Sequence, residues 1–415
     1  MRIQLLIATL IFFSFILPFS GSGQKSSNDS ILVITGATIF ASPEAQPIKN
    51  GVILIRNGRI EKVGTTKLVT IPVNAKRLDV SGMVVAAGFW NCHVHFIEPW
   101  WRGADTLPVE HLEMHLKTML TSHGFTHVFE VATFHFDDVL ALRRRIESGE
   151  INGPAILTAG VPFTPPGGSP FYIAPLKLPE LSSPEEAVKF VTTQIDSGAD
   201  GIKLWSASPT GKGIAEMPLD IERGAVQTAH NRGKLVFAHP TLIDGVRIAV
   251  AGGVDILTHV APDNRKPWGR GLLDSMLKQH MSLTPTLKLY KWELEKQNLY
   301  SPNDSMMNTA VIQLRDFSKA GGQVLFGTDV GYMSDTDPTE EFLFMAQAGL
   351  SFRRILESLT TAPAKRFGAS AKTGKIAAGY DADLVILASD PTKDVKAFAN
   401  VAFTIRKGRI IYSRK

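Results

Sequence analysis

Cysteine is nearly absent. Cys92 is the only one in 415 residues, so no disulfide can form within the chain and stability must come from packing. Charge is sparse too, at 20% of residues, and the net +5 is spread along the chain. Missing are the clustered Lys and Arg with interleaved aromatics that a phosphate backbone calls for, which excludes nucleic acid as a partner. No GxGxxG fingerprint follows the first apolar strand-like run, which argues against a dinucleotide-binding fold. A single long hydrophobic run is present, Leu5 to Phe19, and it falls short of the ~20 residues a spanning helix needs.

The flanks of that run say what it is. Arg2 precedes it, and Ser20-Gly21-Ser22-Gly23 and a polar stretch follow, the order of a secretory signal. Residues 1–24 therefore read as a signal peptide. The protein is expected to be exported, periplasmic or secreted, with no stable membrane insertion after the leader is removed.

What remains is 44% hydrophobic overall and long enough for one large domain plus a smaller one. After the leader come short Val- and Ile-rich segments, Ile31 to Thr35, Gly51 to Ile55, Arg59 to Val63 and Arg77 to Val80, with a hairpin signal at Arg56-Asn57-Gly58. The C-terminus matches in style at Ala382 to Leu387, Val401 to Ile405 and Ile410 to Tyr412, with Lys407-Gly408 between the last two. Neither end shows helical periodicity. Residues 25–83 and 371–415 are thus expected to form one small β-sandwich domain from the two chain ends.

The insertion between them, 84–370, alternates strand and helix. Apolar runs lie at Met83 to Phe89, Thr126 to Val131, Ala155 to Ala159, Gly201 to Trp205, Leu235 to Ala238, Asp255 to Leu257, Met281 to Thr284 and Gln323 to Gly327. Helical stretches such as Pro184 to Ser197 and Asn308 to Ala320 fall between them. Eight such units predict an α/β fold of the (β/α)8 TIM barrel type, with a doubly wound open sheet as the rival.

In a barrel, chemistry sits where strands end. His93 and His95 follow the first run, Lys203 lies near the end of the fourth, and His239, His259 and Asp329 follow the fifth, sixth and eighth. Each alone has a bland explanation, as a satisfied core histidine, a solvated charge or a helix cap. Together they put four imidazoles, an amine and a carboxylate at one end of one cylinder. Imidazole nitrogen and carboxylate oxygen suit zinc and similar divalent ions. A charged ammonium would repel such ions, so Lys203 must be neutralised, and reaction of its neutral amine with CO₂ would give a carbamate able to bridge two of them.

The set and its order resemble the amidohydrolase superfamily. The resemblance is carried by GFWNCHVHF, DGIKLW, VFAHP, ILTHV, FGTDVG, TTAPAKRFG and the tail KTGKIAAGYDADLVILASDP, and it covers nearly the whole mature chain. Within the superfamily the chain looks most like the imidazolonepropionase-related branch that includes metal-dependent Xaa-Pro dipeptidases. The resemblance implies two divalent ions, zinc being expected. His93, His95 and Asp329 would hold one, His239 and His259 the other, and carboxylated Lys203 would bridge them. Asp329 would also serve as general acid and base while a water activated between the ions attacks an amide-type bond. In one respect the chain departs from the branch: relatives often carry a His after a Gly-Gly near the third strand, where PPGGSP puts Ser169.

The substrate is expected to be a dipeptide, an N-acyl amino acid or another small molecule, and an oligomer is possible. Among loop residues, Arg102, His135 and Tyr290 are the candidates to bind it, with Arg102 or Lys288 suited to a carboxylate. His111, His115, His123 and His127 read as structural. Two other functions stay open: a mononuclear deaminase or cyclic-amide hydrolase, and a barrel that binds a ligand without catalysis.

Overall fold

The computed structural model describes residues 30–414, so the leader expected at 1–24 lies outside the described residues. The N-terminal side supplies β1 (Ile31–Phe40), β2 (Ile48–Arg56), β3 (Arg59–Thr65), β4 (Lys76–Asp79) and β5 (Val84–Ala87). The middle of the chain follows with β6 (Phe89–Val94), α1 (Val109–Met119), β7 (Phe125–Glu130), α2 (Phe136–Glu147), β8 (Ala155–Thr158), α3 (Pro184–Asp196) and β9 (Gly201–Trp205). A small hairpin, β10 (Ala207–Thr210) and β11 (Gly213–Glu216), precedes α4 (Leu219–Asn231), β12 (Leu235–His239), α5 (Ile243–Gly252), β13 (Ile256–Thr258) and α6 (Arg270–Lys278). Then come β14 (Ser282–Thr284), α7 (Leu287–Lys296), α8 (Ser305–Lys319), β15 (Gln323–Val324), α9 (Thr339–Gln347), α10 (Phe352–Leu359) and α11 (Thr361–Arg366). The chain closes on β16 (Leu384–Leu387), β17 (Val401–Arg406) and β18 (Arg409–Ser413). Among the described residues no helix is long and apolar enough to cross a membrane.

The turn chemistry explains the end domain. Asn57 (φ 51°) and Gly58 (φ 79°) form a two-residue loop with both φ positive, joining β2 to β3 with Arg56 opposite Arg59. Lys407 (φ 46°) and Gly408 (φ 73°) repeat the device between β17 and β18. The two turns meet: a Cβ on Gly58 would lie 2.7 Å from the Lys407 carbonyl oxygen.

Both chain ends join one hydrogen-bonded sheet, in the order β18-β17-β16-β5-β1-β2-β3, with β4 also on β1. This corrects the expected sandwich of two sheets. The sheet branches because β1 pairs β4 along residues 32–35 and β5 along residues 38–40, and bonds such as Ile60 N–H to Tyr380 O (2.9 Å) fold it back on itself. Ile34, Ile53, Ile55, Val85, Leu384, Ile386 and Ile405 bury together inside that fold.

β5 also corrects a boundary. The run Met83 to Phe89 reads as one strand, but Gly88 breaks it: β5 pairs β1 and β16 in the end sheet, and β6, the first strand of the middle region, starts at Phe89. A Cβ at position 88 would lie 2.3 Å from Thr126 Oγ1, so only glycine lets the chain pass there.

The parallel strands fall into two groups, β6-β7-β8 and β9-β12-β13-β14-β15, three and five strands. Across one seam Phe163 N–H donates to Lys203 O and Trp205 N–H to Phe163 O, each at 2.9 Å. Across the other, Cys92 N–H donates to Phe326 O (2.7 Å) and His95 N–H to Val330 O (2.9 Å). β6, β7 and β9 are buried along their whole length, as parallel strands covered by helices must be. The architecture is a TIM-barrel-type α/β fold with a terminal sheet domain. Helix starts follow capping: Ser183 Oγ accepts from Glu186 N–H ahead of Pro184 in α3. Asp304 accepts from Met306 and Met307 N–H, starting α8 slightly ahead of the expected Asn308.

Candidate active site

The strand ends bring the histidines and the aspartate together. His93 Nε2 lies 3.2 Å from His95 Nε2, and both face one oxygen of Asp329, at 3.2 and 2.7 Å. The His259 ring stands 4.6 Å from that of His93, and the His239 ring 4.7 Å from that of His259. Ligand atoms of His93, His259 and Asp329 all lie within 4.8 Å of one another. His259 therefore stands near both expected sets, the trio His93, His95 and Asp329 at 2.7 to 3.2 Å and its own expected partner His239. Lys203 is buried, and its Nζ donates to Thr258 Oγ1 at 2.6 Å.

Unusual backbone holds these side chains. His259 (φ 74°) and Asp329 (φ 64°) are in the left-handed region that non-glycine residues avoid, a strain that persists only where the surroundings over-determine it. His259 N–H donates to Thr284 O (2.8 Å) and Asp329 N–H to His93 O (2.9 Å). Glycines let the segments close in: a Cβ on Gly327 would meet His93 Cβ at 2.8 Å, and one on Gly331 would lie 1.9 Å from His95 O.

Hydrogen bonds set the tautomers. His95 Nδ1 sits 2.8 Å from the Ala132 carbonyl, which can only accept, so Nδ1 carries a proton and in the neutral ring Nε2 presents its lone pair. Thr286 Oγ1 donates to Pro285 O and therefore accepts from His259 Nδ1 (2.6 Å), which again leaves Nε2 bare. Partners of this kind orient imidazoles toward metals.

Burial dominates the electrostatics. It pushes His93 down to about 4 and His239 and His259 well down, with cationic neighbours adding to the effect. For His95 burial acts the same way, but the Asp329 carboxylate more than offsets it and leaves the ring raised. For Asp329 burial is overcome by His93 and His95, which hold its carboxyl well below the usual range. Burial also brings Lys203 down to about 7, against the pull of Asp329 and Glu130. Neutral imidazoles at His93, His239 and His259, an ionised Asp329 and a readily neutralised Lys203 are protonation states a cation site requires, and a bound cation would displace the proton that Asp329 favours on His95.

The candidate substrate-binding residues have partners of their own. Arg102 is exposed and its Nε donates to His135 Nε2 at 2.9 Å. The Tyr290 hydroxyl donates to the carbonyl of Val260, the residue after His259. Lys288 is buried and pairs with Asp335 at 2.7 Å. Ser169 pins its own loop by accepting from Leu178 N–H (2.9 Å).

Glu130, near the end of β7, was not foreseen. It is fully buried, accepts from Thr158 Oγ1 at 2.6 Å, and has one oxygen without a partner. Burial pushes its carboxyl up to about 7, while His95 and Lys203 pull the other way. The sequence carries only a weak signal for it, a lone carboxylate inside the apolar run Thr126 to Val131.

Comparison with known proteins agrees with this geometry. The model of the amidohydrolase family matches residues 84–411. An ochratoxinase from Aspergillus niger is 20% identical over 90% of this chain and 84% of its own length. A Xaa-Pro dipeptidase crystal structure with bound methionine in its active site superposes with a TM-score of 0.79 at 22% identity, covering 93% of this chain and all of the other. The crystal structure of A. niger ochratoxinase gives 0.74 at 19% identity, covering 93% of this chain and 96% of the other. The chain belongs to the amidohydrolase family and is a hydrolase acting on carbon–nitrogen bonds.

Proposed function

We propose that this protein hydrolyses an amide bond of a small substrate, a dipeptide or N-acyl amino acid, with two divalent ions, zinc the expected one. His93, His95, His239, His259 and Asp329 would hold them, with Lys203 as a bridging carbamate. The observation that carries the reading is a convergence: His95 Nδ1 is engaged by the Ala132 carbonyl, which turns Nε2 into the site, where it stands 2.7 Å from Asp329 Oδ1. The gap suits a cation, a place that a proton on His95 fills when no ion is bound. The 3.2 Å spacings of His93 Nε2 from His95 Nε2 and from Asp329 Oδ1 suit ligands of one ion, since bonds of about 2.1 Å set neighbouring ligand atoms about 3.0 to 3.4 Å apart.

When bound, the ions supply Lewis acidity that polarises the scissile carbonyl and makes water a nucleophile near neutral pH. The chain's own groups do the rest. Asp329 takes the proton on a carboxylate oxygen and gives it to the leaving nitrogen. The Lys203 amine, brought down to about 7 by burial, would attack the carbon of CO₂ as the free base, forming the N–C bond and releasing a proton to water. Thr258, whose hydroxyl donates to Ala238 O (2.9 Å), accepts from that nitrogen and holds it in place. Glu130 adds a buried carboxyl beside this pair.

Metal analysis together with turnover of a dipeptide and N-acyl amino acid library, before and after chelation, tests the reading. Two ions per chain and chelator-sensitive amide hydrolysis are expected. One ion per chain with an unmodified Lys203 would instead support the mononuclear alternative. Export belongs to the same proposal, and N-terminal sequencing of the mature protein, expected to begin near residue 25, tests it.

A further inference from the structure

A strip of aromatic rings runs from the histidines to the surface. The Trp205 ring stacks on His239 with centroids 3.8 Å apart. Tyr172 stands 6.4 Å from Trp205 and 5.6 Å from Tyr332, edge to face, and Tyr332 meets Trp292 at 5.8 Å. The Tyr332 hydroxyl donates to Glu293 (2.6 Å), fixing that ring.

Two features separate this strip from ordinary core packing. Tyr172 is 40% exposed, on a loop whose base is pinned while its tip stands free. Thr164 N–H bonds Pro179 O, Gly167 N–H bonds Glu180, and Ser208 bonds the Gly168 carbonyl, yet Phe171 and Leu176 at the tip are 60% and 55% exposed. Further, Trp205 is only 8% exposed and its Nε1 has no partner. A buried indole N–H left unpaired is costly, and an incoming acceptor would relieve it.

We infer that the site takes an amide whose acyl or amine portion carries an aromatic ring, held against Trp205, Tyr172 and Tyr332, with a substrate oxygen accepting from Trp205 Nε1. The inference rests on the amide-hydrolase reading and narrows its substrate class. Edge-to-face and offset stacking reward a planar ring beyond its apolar area, so an aromatic group gains where an aliphatic group of similar size does not.

The test is equilibrium binding, by calorimetry on zinc-loaded protein, of two pairs of ligands that cannot be hydrolysed: L-phenylalanine against L-leucine, and benzoate against butyrate. In at least one pair the aromatic member is expected to bind roughly tenfold tighter. Tyr172→Ala is expected to abolish that gap and Tyr172→Phe to keep it, which a loop that merely misfolds would not do. Equal affinities within both pairs, or a gap that survives both Tyr172→Ala and Trp205→Leu, would overturn the inference. Binding is read without turnover, so absence of amide hydrolysis counts against the parent reading alone.

Discussion

Asn91 and Thr328, distant in sequence, are locked side chain to side chain: Asn91 Nδ2 donates to Thr328 Oγ1 at 2.7 Å. The Asn91 Oδ1 atom receives the N–H groups of both His93 and Thr328 at 3.2 Å. One buried amide therefore sets the relative position of His93 and of the segment that presents Asp329.

Asn91→Ala removes that clamp. Its loss leaves buried groups of Thr328 unpaired, at about 1–3 kcal/mol of stability, and loosens metal binding by roughly 10- to 100-fold. Thermal denaturation and competition with a metal indicator measure the two effects. A variant that binds zinc as tightly as the wild type would show that the clamp does not order the site.

Lys203→Ala is expected to fold, to lose bound metal and to lose hydrolysis. Turnover restored by added short carboxylic acids would mark the missing group as a carbamate. Full activity without them would remove Lys203 from the metal site.

Asp329→Asn keeps an oxygen ligand but cannot carry a proton. Much of the metal should remain while turnover falls by about 10²- to 10⁴-fold. Steady-state kinetics on protein of known metal content gives the answer, and a wild-type rate would exclude Asp329 from proton transfer.

Glu222, fully buried on α4, accepts from Ser206 Oγ at 2.7 Å through one oxygen, and its other oxygen has no partner. Burial pushes its carboxyl from 4.5 up to about 8. The folded chain thus binds this proton more tightly than the unfolded chain. The resulting stability is complete below about 4.5 and drains away as pH rises to about 8. Glu222→Gln, uncharged at every pH, should change stability little at pH 5 and raise it at pH 8 by on the order of 4 kcal/mol. Urea denaturation at the two pH values measures the difference, and a variant no more stable at pH 8 than the wild type would contradict the assignment.

The sequence made the strand-end histidines and Asp329 legible because each follows an apolar run too short to be anything but a buried strand. Glu130 lies inside such a run and is masked by β-formers on both sides. Gly88 hid a strand boundary, since a single small residue inside MVVAAGFW does not interrupt hydrophobicity even though it redirects the chain. Tyr172 was out of reach: it sits in a proline- and glycine-rich loop without periodicity, and only the fold brings it beside Tyr332. The partners of Arg102, Lys288 and Tyr290 were equally hidden, because a carboxylate or carbonyl far along the chain decides whether such a group is free.

The terminal sheet also dictates when the molecule can be completed. Val84–Ala87 pairs with Leu384–Leu387, so an early strand has to wait for one made near the end of synthesis. Until Leu384–Leu387 leave the ribosome, one edge of β5 has no partner. A nascent chain would carry that exposed sheet edge until β16 is made, and a chain cut short before Leu384 would leave it uncovered for good.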